Sequence, residues 1–97
     1  MSDVKASWKV VVDNPQGLHA RPADLIVRLA KQYQSKIEVV KENQRVDGKS
    51  ILDLLTLAAV QGTELTIEAM GDDAQAAIDA LAALFATNFP ESEQDQS

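Results

Sequence analysis

From Ser7 to Val12 the apolar side chains Trp8, Val10 and Val12 recur at every second position, the two-residue period of a strand with one face buried. Asp13-Asn14-Pro15-Gln16-Gly17 breaks that period with turn residues. Beyond the turn, Ala23, Ile26, Val27, Ala30 and Tyr33 share one helical face and predict a helix from Arg21 to about Tyr33. Ile37 and Val39 alternate with Lys36 and Glu38, and a shorter extended piece around Arg45-Val46-Asp47 follows Glu42-Asn43-Gln44, so a hairpin is expected. A leucine- and alanine-rich helix should run from Ser50 to Ala59 and end at Gln61-Gly62, where a left-handed cap is available. Leu65, Ile67 and Ala69 alternate with Glu64, Thr66 and Glu68, the clearest half-buried strand in the chain. A last helix is expected from about Ala74 to Thr87, with Ala74, Ile78, Leu81 and Phe85 on one stripe, Asp72 or Asp73 as cap, and Pro90 past its end.

This order predicts an α+β open-faced sandwich: a four-stranded antiparallel sheet covered on one face by three helices, βαββαβα. The topology is close to the split βαβ arrangement used by many unrelated binding domains, so it does not name a function. Ninety-seven residues suffice for one core and not for two, which places one domain over 1–89 and leaves 90–97 as a disordered acidic tail. Such a chain needs no partner copy, and a monomer is expected.

The middle helix carries more apolar surface than one side can hide. If Leu54 and Leu57 face the sheet, some of Ile51, Leu52, Leu55 and Ala58 must face outward, and an exposed apolar cluster of that kind marks a docking surface. The alternative is a helix wedged between others and buried all round. Ser50 stands at its start with Asp53 three residues on, the spacing of a helix cap. A phosphate on Ser50 would add up to about two negative charges beside the apolar patch.

Composition narrows the chemistry. The absence of cysteine removes disulfides, thiol catalysis and thiolate metal sites, and a single histidine is too few for an ordinary zinc site, so neither metal nor cofactor is expected. A net charge of −6 argues against nucleic acid as a partner. The amino terminus lacks a secretory pattern and no segment approaches the roughly 20 apolar residues of a membrane span, which points to the cytoplasm. Arg21, Arg28, Lys31 and Lys49 nonetheless cluster around the histidine segment, a polarity that can orient an acidic partner.

That histidine, His19, lies in Gly17-Leu18-His19-Ala20-Arg21-Pro22, where a tight turn runs into a helix start. A helix start offers backbone NH donors and roughly half a positive charge to an anion. Arg21 adds a planar guanidinium fork, Pro22 occupies the first turn where no NH is needed, and Gly17 lets the loop bend. The set describes an anion site with an imidazole nucleophile at its mouth. A surface histidine without chemistry is the alternative.

Asn14-Pro15-Gln16-Gly17-Leu18-His19-Ala20-Arg21-Pro22-Ala23, with Gly48-Lys49-Ser50-Ile51-Leu52 and Gln61-Gly62-Thr63, resembles the HPr family, the histidine phosphocarriers of the phosphoenolpyruvate-dependent sugar phosphotransferase system. The resemblance spans about Trp8 to Phe89. It implies a relay without turnover of its own: His19 Nδ1 accepts a phosphoryl group from phosphorylated enzyme I and passes it to the A component of a sugar permease. It further implies that Arg21 and the backbone NH groups of Ala20 and Arg21 support the phosphoryl group. By the same resemblance Ile51 and Leu52 belong to the docking surface, and Leu55, which varies from the family pattern, is expected there too, with Lys49 and Arg28. Ser50 would be the position modified by an HPr serine kinase, with a transcription factor as a further partner. Asp53 lies where relatives often carry lysine or glycine, which leaves open a branch serving nitrogen-related or purely regulatory phosphorelays. A glutamine replaces the histidine in one regulatory relative, so His19 speaks for a carrier.

Overall fold

The computed structural model describes residues 4–87 and 89. Among them the elements run β1 (Lys5–Val11), α1 (Ala20–Ala30), β2 (Lys36–Lys41), β3 (Gln44–Asp47), α2 (Ile51–Thr56), β4 (Glu64–Met70) and α3 (Ala74–Ala86). The expected tail over 90–97 and Pro90 lie outside the described residues.

The alternation in β4 decides the sheet. Leu65, Ile67 and Ala69 are buried while the residues between them face outward, and β4 sits between β1 and β2 in an antiparallel sheet ordered β1-β4-β2-β3. Register aligns Trp8, Ile67, Val39 and Val46 in one inward row across all four strands. The neighbouring outward row holds Glu68, Glu38 and Asp47, and Arg45 of β3 donates to both Glu38 (2.8 Å) and Glu68 (2.5 Å). These pairs are solvent-exposed and contribute little to stability.

The helices cover the inward face. α3 packs on β1 and β4, while α1 packs against α2 and α3. Ala23, Ile26, Val27 and Ala30 of α1, Leu54 of α2 and Ala77, Ile78 and Leu81 of α3 meet β4 residues in one core. Each fully buried Leu or Ile stabilises by roughly 1.5–3 kcal/mol. Phe85 of α3 is half-buried and stands edge-on between Trp8 (centroids 5.5 Å apart) and Phe89 (4.8 Å).

β1 runs Lys5–Val11 rather than Ser7–Val12, and two helix C-termini and one cap also differ from the sequence expectation. α1 stops at Ala30 rather than Tyr33: Gln32 N and Tyr33 N turn back onto Leu29 O and Ala30 O, and the chain then docks on Asp73. The Asp73 carboxylate accepts Gln34 N (2.8 Å), Ser35 N (2.9 Å) and the buried Ser35 hydroxyl. Asp73 therefore occupies the N-cap position of α3 without making a capping bond. The Ser35 hydroxyl and the Gln34 NH hold its carboxyl below the ordinary aspartate range. The other C-terminus is that of α2, which ends at Thr56. Ala58, at φ +49°, is the left-handed residue that turns the chain, whereas Gly62, at φ +92°, serves a later turn and donates its NH to Val12 O.

Candidate functional site

The reactive turn is built from both ends of the core. Val12 is buried at the end of β1, and Leu18 is buried between Gly17 and His19, so the intervening loop is pulled inward on either side. Leu18 N donates to Ala59 O at 2.8 Å, which ties the turn to the segment after α2. Gly17 stands at φ +72° with Ala59 O facing it, and an added Cβ would lie 2.5 Å from that oxygen. Only glycine fits that approach.

His19 is the N-cap of α1, half-exposed, with an extended backbone and no capping bond from its side chain. Its carbonyl takes the first bond of the helix ladder, from Ala23 N at 3.1 Å. Ala20 and Arg21 precede that bond, and Pro22 has no NH, so the helix start has the form of an anion site. Arg21 is half-buried in the same first turn, two residues from the imidazole.

Beside His19 lies a shallow depression of about 300 Å³ lined by Gln16, Leu18, His19, Leu55, Ala58, Ala59 and Val60. Leu52 is 75% exposed, Leu55 37% and Val60 66%, while Leu54 and Leu57 are buried. The surplus apolar face of α2 thus points outward and runs up to the histidine, which rules out a helix buried all round. Ile51 is half-buried against the core and shares its surface between packing and solvent. A larger hollow of about 480 Å³, lined by Lys9, Val40, Lys41, Glu42 and residues 62–64 and 66, lies at the open face of the sheet and includes none of these groups.

Ser50 caps α2, its Oγ accepting Asp53 N at 3.2 Å, while Asp53 Oδ2 accepts Asp47 N at 3.3 Å. Lys49 is half-buried and donates from Nζ to Tyr33 O at 2.8 Å, so it braces the end of α1 against the approach to α2. Arg28 is exposed two turns along α1 and paired with Asp24 at 2.9 Å. Ala58, Val60 and Gln16 were not foreseen as lining the histidine, because that role follows from the return of the chain after α2. Ala58 was expected only as one of several possible outward residues.

The family model of the PTS HPr component phosphorylation site matches residues 6–87. The chain belongs to the HPr family. It is 44% identical over 82 residues to the phosphocarrier protein HPr of Treponema pallidum, covering 84% of this chain and 93% of that one. The HPr-like protein Crh of Bacillus subtilis is 44% identical over 75 residues, 77% of this chain and 88% of Crh. The crystal structure of an HPr from Thermoanaerobacter tengcongensis superposes with a TM-score of 0.85 at 39% identity, covering 90% of this chain and 98% of that one. The βαββαβα sandwich is the HPr fold, and the protein is an HPr-type phosphocarrier of the phosphotransferase system. No helix among the described residues is long and apolar enough to cross a membrane.

Proposed function

We propose that His19 accepts a phosphoryl group from phosphorylated enzyme I on Nδ1 and passes it to the A component of a sugar permease. The observation that carries this reading is a half-exposed imidazole, uncommitted to capping, at a helix start beside an outward apolar face. In acceptance, the lone pair of the ring nitrogen forms the N–P bond as the donor's bond to phosphorus breaks, and that electron pair returns to the donor. Backbone NH groups of Ala20 and Arg21, the Arg21 guanidinium and the helix dipole offset the phosphoryl charge. The partners supply the rest of the transfer geometry.

Leu52, Leu55, Ala58 and Val60 form the centre of the docking face, with Ile51 at its edge. Ser50 is the regulatory position: a phosphate esterified to the Oγ that caps Asp53 N would stand near two carboxylates, Asp47 and Asp53. A serine kinase and a transcription factor are the partners such regulation would need, and the protein acts as a cytoplasmic monomer. Incubation with phosphoenolpyruvate and enzyme I should give an acid-labile, base-stable adduct that is absent in His19→Ala. Label retained in His19→Ala would refute the site.

A further inference from the structure

The Gly17 carbonyl is the most heavily used acceptor in the reactive turn. It takes Asn14 Nδ2 at 2.8 Å and His19 N at 3.0 Å, while Gly17 N donates back to Asn14 O at 2.9 Å. The bond from His19 N closes a three-residue turn centred on Leu18. Asn14 is only 9% exposed, so water is a poor substitute for the partner its amide has found. The His19 side chain makes no capping bond, so the position of its Cα at the helix start depends on its backbone. That backbone is held at Leu18 N by Ala59 O and at His19 N by Gly17 O.

We infer that Asn14 is a positioning residue for phosphoryl transfer. By fixing Gly17 O it keeps His19 N in the turn and aims the imidazole along the start of α1. One consequence is that the NH of His19 points to Gly17 and does not serve the phosphoryl group, which leaves that role to Ala20 and Arg21. The inference rests on His19 as the carrier, and Asn14 touches neither the phosphoryl group nor the docking face.

Asn14→Asp keeps the size and replaces the donor by an anionic oxygen facing another acceptor, and Asn14→Ala removes the donor without adding charge. Both are compared with the unaltered protein at a temperature where all are folded, in single-turnover acceptance from phosphorylated enzyme I and in 1H–15N NMR. The rate in Asn14→Asp should fall about ten- to a hundredfold, the scale of misplaced reacting groups. Half-saturation should stay within about twofold, because docking residues are unchanged. The His19 amide resonance should move, while that of Asp53, held by Ser50, stays in place. Should Asn14→Asp fail to fold, Asn14→Ala carries the same expectations. Transfer within about twofold of the unaltered protein overturns the inference. So does a loss shared equally by rate and half-saturation, since that reports general loosening. Failure of the unaltered protein to take label would instead strike the His19 reading, and the amide shifts would still test Asn14.

Discussion

Gly17→Ala tests the junction between the reactive turn and the segment after α2. The new Cβ would stand 2.5 Å from Ala59 O and 3.0 Å from Val60 Cα, both backbone atoms, so no side-chain rotation relieves the collision. The φ of +72° adds a left-handed penalty of about 1–2 kcal/mol for a residue with a Cβ. Moving the strands of the loop apart sacrifices the 2.8 Å bond from Leu18 N to Ala59 O, and leaving those groups unpaired costs about 1–3 kcal/mol. Alanine restricts the unfolded chain and returns about 0.4–1 kcal/mol. The net loss is about 1–4.5 kcal/mol, which at this chain length lowers Tm by roughly 5–35 °C. Urea and thermal unfolding measure it, with Gly62→Ala as control: there φ is +92° but nothing lies within 4 Å of the added Cβ, so only the conformational penalty applies. Phosphoryl acceptance should fall in Gly17→Ala and be retained in Gly62→Ala. Equal destabilisation of the two variants would refute the argument from close approach.

Ala58→Gly should stabilise the protein by about 0.5–1 kcal/mol, because glycine relieves the left-handed strain at φ +49° and gives back only part of it as chain entropy; the urea midpoint rises at unchanged m value. Leu54→Ala should cost about 2–5 kcal/mol, whereas Leu52→Ala should leave stability within about 0.5 kcal/mol and weaken binding to enzyme I, as calorimetry and titration would show. Asp73 has a folded-state pKa below its unfolded value, so its contribution to stability is complete above the ordinary aspartate range and is lost as pH falls through that range toward the lowered value. Asp73→Asn should therefore be less stable at neutral pH, and the gap should close on acidification in urea titrations at stepped pH; a gap independent of pH would contradict the clamp on Ser35.

What was legible in the sequence was whatever local periodicity controls. The alternation of Leu65, Ile67 and Ala69, the stripe of Ala23, Ile26, Val27 and Ala30, and the division of α2 into buried Leu54 and outward Leu52 and Leu55 all follow from one buried face per element. Element ends were illegible where a remote group sets them. Nothing in the local sequence marks Ala58 as left-handed, since that conformation lets Leu57 reach the core while Ala59 O meets Leu18 N. Asp73 reads as a cap from its neighbours alone, and its bonds to Gln34 and Ser35 depend on how β2 enters the sheet. The Gly17-to-Arg21 motif singled out His19 as the candidate carrier. The support of Asn14 and the walls from Ala58 to Val60 required the turn to be seen against the end of α2.

The central claim is that a phosphoryl group rides on His19 at the start of α1. The direct measurement is 1H–15N NMR of the uniformly labelled protein before and after phosphorylation by enzyme I. The account predicts that the His19 ring nitrogens change as expected for an Nδ1 adduct and that the Ala20 and Arg21 amides shift most, with the sheet unmoved. A phosphorylated protein whose His19 ring signals are unchanged, or whose largest amide shifts lie away from residues 19–21, would contradict it.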